Sequence, residues 1–243
     1  MDRHPATAVA PPQSRLSDWL NALAITLLAC VLFGLGCFVA LGSYLKHHDV
    51  PLFEAAVYLE IAFTGGAAVL LAVIYAWQRA RGLSMADLGW GKPTTPLALG
   101  LAVVLGVLYL SWTSFAVKHS PGMQDVDVFE VNWVRLALVP LGIFLAVVEE
   151  TMMRGFFMTE LQRARVATWL QIVASGACSA LYHCFQNPTP IGFFPSFVLF
   201  SVHAGLYVVG RRSLTPVILT HSIYHVFGEP YLIMLILAWG TIY

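Results

Sequence analysis

Long apolar runs separated by short polar clusters dominate this chain. They occupy residues 19–45, 53–77, 97–117, 133–161, 167–185, 191–210, 214–227 and 230–243. A helix needs about 20 apolar residues to cross the hydrocarbon of a bilayer. The last two runs are short, so the pattern predicts seven or eight spans in an all-α, polytopic transmembrane helical bundle. Polar breaks fall at 78–96, which contains Asp87-Leu88-Gly89-Trp90, and at 120–132, rich in turn-forming and acidic residues. No internal repeat is visible. Residues 1–18 read as a disordered cytoplasmic tail, Ala- and Pro-rich as far as Gln13. The apolar run after Asp18 is too long for the core of a signal peptide and reads as a retained first span.

Composition sharpens this class. Of 243 residues, 58% are hydrophobic and 11% charged, against roughly 25% charged in soluble domains. Most of the surface is therefore too apolar to face water, and the bilayer is the expected partner. The 13 basic and 13 acidic residues cancel, which leaves no basic excess to hold a nucleic acid. Cys30, Cys37, Cys178 and Cys184 lie in apolar stretches without C-x-x-C spacing, so no disulfide framework is implied.

The basic residues also orient the chain. With a cytoplasmic N-terminus, Arg3, Arg15, Arg79, Arg81, Lys92, Arg163, Arg165, Arg211 and Arg212 fall inside. Only Lys46, Lys118 and Arg135 fall outside. The positive-inside rule thus predicts an N-terminus in the cytoplasm, and the expected location is a plasma membrane of the bacterial inner-membrane type.

Candidate chemistry lies where polarity is expensive. Residues 139–158 read VPLGIFLAVVEETMMRGFFM. Each charge at a helix centre costs about 2.5–3.5 kcal/mol on insertion scales. Glu150 and Arg154 are i,i+4 neighbours and can pair. Glu149 points about 100° away from that pair. It is left as a buried carboxylate with no local cation, a group suited to general-base work. A purely structural ion pair would explain Glu150 and Arg154 but not Glu149.

Histidines supply the rest. His183 ends the fifth run; alone, such a residue is more often a satisfied core histidine. Its neighbour Cys184 points about 100° away and reads as packing. His221 and His225, at i,i+4, share one helical face and can chelate a metal or divide base and donor roles. His203 in the preceding run reads first as a core residue and second as a support for the site. Pro216 marks where the seventh helix begins or bends. The H-E-x-x-H, G-x-S-G and paired-aspartate signatures of other intramembrane proteases are absent.

The E-E-x-x-x-R stretch at 149–154, the later His183, and the P-x-x-x-x-H-x-x-x-H run from Pro216 to His225 together resemble the CPBP intramembrane protease family. That family comprises type II CAAX prenyl endopeptidases and bacterial Abi or bacteriocin-immunity-like relatives. Asp87-Leu88-Gly89-Trp90 looks like the segment that often precedes the family core. The resemblance covers roughly 85–228 and implies a division into a hairpin, 19–84, and a protease core, 85–243. It implies that Glu149 and His183 activate a water. His221 would stabilise the oxyanion or bind a metal, and Glu150 and Arg154 would hold their helix in place. Zinc on Glu149, His183 and His221 is one option and a metal-free glutamate mechanism the other. Two departures stand out: Ser179 replaces an aromatic residue four before His183, and His225 replaces a small polar residue.

The expected function is hydrolysis of a peptide bond in a membrane-associated substrate, prenylated CAAX-type peptides among them. A non-catalytic immunity or scaffold protein using the same cavity is the alternative. A proton-coupled transporter is a third reading, weakened by the lack of inverted repeats. One tension remains in the drawn spans. Glu149 falls inward of the middle of its span, whereas His183 lies near the outer end of the next.

Overall fold

The apolar runs become helices, and the polar breaks supply their caps. The computed structural model describes residues 15–120, 122–185 and 189–239. Residues 1–14 of the expected tail and the end of the eighth run, 240–243, lie outside these. Helix α1 opens at Arg15, inside the stretch read as tail. It runs through α-helical Arg15–Ala29, π-helical Cys30–Leu41 and α-helical Gly42–His47. Helices α2 (Leu52–Ala80) and α3 (Pro96–His119) follow, with a 3₁₀ turn at Met85–Leu88 between them. Helix α4 comprises Trp133–Glu150, a π-helical stretch at Thr151–Phe157, and Met158–Arg163. Then come α5 (Thr168–His183), α6 (Pro190–Val209), α7 (Thr215–Gly228) and α8 (Tyr231–Trp239). No strand occurs among the described residues.

Start signals explain the boundaries. Thr95, Asn132 and Thr189 accept from the backbone N–H three residues on, and Pro96 and Pro190 sit at first helical positions. Pro216 likewise opens α7 rather than bending it. Ser84 and Asp87 form a reciprocal capping box, whose hydrogen bonds hold the Asp87 carboxyl below the usual carboxylate range.

Among the described residues, five helices are long and apolar enough to cross a membrane: α1, α2, α3, α4 and α6. The expected count of seven or eight exceeds these because α5, α7 and α8 are only 16, 14 and 9 residues long. Rows of exposed large apolar residues, such as Leu20, Leu23, Leu27 and Val31 on α1 and Val104, Val107, Leu108 and Phe115 on α3, suit lipid rather than water.

The tension between Glu149 and His183 disappears in this architecture. Helix α4 continues to Arg163, 14 residues beyond Glu149, and α5 climbs 15 residues from Thr168 to His183. At about 1.5 Å per residue, both side chains stand roughly 21–22 Å from the shared turn.

Helices α6 and α7 reach the same level differently, because their connection is sunk against Gly155. A Cβ on Gly155 would stand 3.1 Å from the Leu88 carbonyl oxygen and 3.5 Å from Leu214 Cδ1. Leu214 donates its N–H to the Gly89 carbonyl at 3.2 Å, and Ser213 donates to the Lys92 carbonyl at 2.8 Å. His221, one and a half turns into α7, thereby comes level with Glu149. Small residues let α7 in close: a Cβ on Gly142 would meet His225 Cβ at 2.9 Å, and one on Gly106 would meet Ile223 Cβ at 2.9 Å.

Gly89 is the hinge pin of this support. Its φ is +106°, and a Cβ would lie 2.5 Å from the Arg212 carbonyl oxygen. Gly89→Ala should destabilise the protein by roughly 2–3 kcal/mol. Thermal melts in detergent check this, and an unchanged melting temperature would deny the segment its supporting role.

Candidate active site

Two adjacent glutamates of α4 divide the work. Glu150 is fully buried. Its Oε2 lies 3.2 Å from Arg154 Nε. Its Oε1 accepts from His221 Nδ1 at 2.7 Å and from His203 Nδ1 at 3.0 Å. Arg154 is buried too, and its Nη2 donates to the Phe200 carbonyl at 2.9 Å. One carboxylate thus ties α4 to both α6 and α7.

Glu149 faces the other way, into a cavity. Its Oε2 stands 3.8 Å from His183 Nε2 and 3.9 Å from His221 Nε2. The Tyr182 hydroxyl donates to the same oxygen at 3.4 Å. His183 Nδ1 is 2.8 Å from the Ser179 carbonyl. A carbonyl only accepts, so this nitrogen carries the proton. His221 Nδ1 is held in the same way by the Glu150 carboxylate. Both neutral rings therefore turn an Nε2 lone pair towards Glu149.

His225 stacks on His221 with ring centroids 4.8 Å apart. Its Nδ1 lies 3.0 Å from Glu229 Oε1. The cavity is about 260 Å³ and is walled mainly by apolar and aromatic residues, Phe33, Phe38, Phe63, Trp112 and Phe200 among them. Glu149, His183, His221, His225 and Glu229 also line it.

The structure thus brings Glu149, His183, His221 and His225 to one cavity and puts Glu150 and Arg154 behind it. Cys184 is no part of that wall; its Sγ donates to the Leu181 carbonyl at 3.3 Å. His203, read from sequence first as a core residue, is a direct partner of Glu150. Tyr182, Glu229 and Glu60 carry no motif and go unread. Spacing alone could have flagged Glu229, which continues the i,i+4 series of His221 and His225.

Two groups offer metal ligands. Glu150, His203 and His221 place one ligand atom each within 4.8 Å of one another. In that group both Nδ1 protons already satisfy Glu150 Oε1, and Arg154 faces Oε2, so the charge is balanced without an ion. The Glu149 Oε2, His183 Nε2 and His221 Nε2 set is more open, but its two nitrogens are not taken up by hydrogen bonds. Its atoms carry free lone pairs, and its separations of 3.8 and 3.9 Å are near the roughly 3.3–3.4 Å between ligands of a tetrahedral zinc. The Nδ1–H bonds to Glu150 and to the Ser179 carbonyl are the outer partners that metal-bound imidazoles use.

The family model described as type II CAAX prenyl endopeptidase Rce1-like matches residues 131–227. Residues 131–227 are thus similar to the CAAX protease family. The matched stretch holds all six expected site residues and His203, while the segment at 87–90 lies outside it. No curated protein and no solved structure matches the chain. Its membrane-length helices make the chain an integral membrane protein, and the family that its core resembles implies a protease.

Proposed function

We propose that this chain is an intramembrane endopeptidase in which Glu149 takes a proton from a water held against His183 and His221. The observation that carries this reading is that two imidazole nitrogens each stand within 4 Å of one carboxylate oxygen in a largely apolar cavity. The water oxygen bonds to the scissile carbonyl carbon while one Glu149 oxygen accepts the proton. The same carboxyl then delivers it to the departing amine as the C–N bond breaks. Tyr182, whose hydroxyl already points at Glu149, is the neutral donor nearest to the developing oxyanion.

Because both Nε2 atoms are acceptors in this arrangement, they support metal binding better than direct oxyanion donation. A zinc held by His183, His221 and Glu149 would polarise the carbonyl and acidify the water. Glu150 fixes His221 from behind, and Arg154 fixes Glu150. The substrate is a membrane-associated peptide, and the family description points to prenylated CAAX-type C-termini. We place the N-terminus on the cytoplasmic side of a bacterial plasma membrane, with the short helices α5, α7 and α8 packed among the five long ones to bring the bundle to seven or eight membrane-embedded segments.

Purified protein, assayed on lipidated and unlipidated peptides with metal analysis, tests this. About one zinc per chain is expected, lost in His183→Ala and His221→Ala, with cleavage abolished by dipicolinate and restored by added zinc. Full activity after exhaustive chelation would remove the metal from the reading. Metal-loaded protein that cleaves no membrane peptide would remove the endopeptidase.

A further inference from the structure

Beyond the matched stretch lies a second polar group. Glu229 follows α7 and is only 3% exposed, yet it lines the cavity. Neither of its carboxylate oxygens has a well-formed hydrogen bond among the described residues; His225 Nδ1 lies 3.0 Å away, and the Ile233 backbone N–H is also nearby. Glu60 of α2 is fully buried, and both its oxygens lack a partner among the described residues. It stands three residues before the cavity-lining Phe63. It meets His225 across Gly142, where a Cβ would lie 3.5 Å from Glu60 Oε1 and 2.9 Å from His225 Cβ. It is also within electrostatic range of Glu229.

The nearest arginine does not neutralise these acids directly. Arg135 donates Nε to the Glu229 carbonyl at 3.0 Å, Nη2 to the Phe227 carbonyl at 2.6 Å, and Nη1 to the Glu130 carbonyl. A charged group within a membrane span is costly, and such groups persist where they meet a partner or a substrate. The connections at this end are acidic as well. Asp49, Glu54, Asp125, Asp127 and Glu130 are exposed, against the exposed Lys46 and Lys118. Such a rim attracts cations towards the cavity mouth.

We propose that Glu229, backed by Glu60, is a subsite for a basic side chain of the substrate. The proposal deepens the endopeptidase reading and rests on it for the cleavage arm of its test. Glu229 lies eight residues past His221, about 12 Å along the helix direction. That is the length of three to four extended residues. The preferred lysine or arginine therefore falls within about four residues of the scissile bond.

The test uses quenched fluorescent peptides of alanine, leucine and serine with a single lysine stepped along the sequence, each matched by a norleucine peptide. Wild-type protein should favour the best lysine peptide by about 30-fold in kcat/KM, the low end of what losing one partner of a buried charge pair costs. Glu229→Gln and Glu60→Gln should each compress that ratio, Glu229→Asp should keep most of it, and Glu229→Lys should shift preference to a further peptide with glutamate in place of that lysine. A ratio is read within one preparation, so partial misfolding does not mimic the effect. Wild type that cleaves both members of each pair equally, or Glu229→Gln that keeps the full ratio, overturns the subsite. Binding of the same peptides to Glu149→Gln protein provides a separate arm. Lysine-dependent binding lost in Glu149→Gln/Glu229→Gln, without cleavage by wild type, sustains the subsite and rejects the protease. Binding that ignores lysine rejects the subsite.

Discussion

Glu149→Gln is expected to lower kcat for peptide cleavage by roughly 10²–10⁴-fold, the range that a positioned general base supplies. Glutamine keeps the size of the side chain and can still accept from the Tyr182 hydroxyl, now 3.4 Å away. It cannot take a proton from water. The Glu150 cluster, about 100° round α4, keeps its own hydrogen bonds, so the melting temperature in detergent should barely change. Bound metal should fall if Glu149 is a ligand and persist on the two imidazoles if it serves only as base. Metal analysis of the same preparation therefore apportions the two roles. This variant also separates a protease from an immunity or scaffold protein, since a binder keeps its partner and its phenotype. Unchanged cleavage by folded Glu149→Gln would leave the mechanism without its base.

Whether such a site is legible depends on how local its physics is. Glu149, Glu150 and Arg154 stand out because they crowd three charges into six residues of an apolar run. Helical geometry alone then separates the Glu150–Arg154 pair from Glu149, and the structure keeps that division even though the helix turns π-helical at Thr151–Phe157. The partners of Glu150 on α6 and α7 are another matter. No local spacing announces that His203 and His221 share one carboxylate oxygen, because that contact depends on where the α6–α7 connection is sunk. That depth in turn depends on Gly89 and Gly155, two glycines whose importance lies in close approach rather than in any pattern. Glu60 and Glu229 are single acids near the ends of apolar runs. Nothing in the sequence pattern singles them out as buried, and only packing reveals them so. The spans show the same limit: length and hydropathy identify α1 to α4 and α6, whereas α5, α7 and α8 owe their places to neighbours.

Arg154→Met should cost about 3–5 kcal/mol, the largest stability loss expected from a single side chain here. The guanidinium is fully buried, 3.2 Å from Glu150 through Nε and 2.9 Å from the Phe200 carbonyl through Nη2. Its carbon lies 5.3 Å from the centroid of the Phe200 ring. Methionine fills similar space but leaves the Glu150 carboxylate with only two neutral imidazole donors and no cation. The loss comes chiefly from that stranded charge, so it should shrink when the charge is removed as well. Glu150→Gln/Arg154→Met is therefore expected to be more stable than Arg154→Met alone, with a coupling on the order of 1–3 kcal/mol. Equilibrium unfolding of the four proteins in one detergent measures the cycle. Loss of the anion should also loosen His221, so the double variant should regain stability without regaining cleavage. Additive single effects would mean that Arg154 holds Phe200 and α6 rather than Glu150, and the positioning role assigned to the pair would fall.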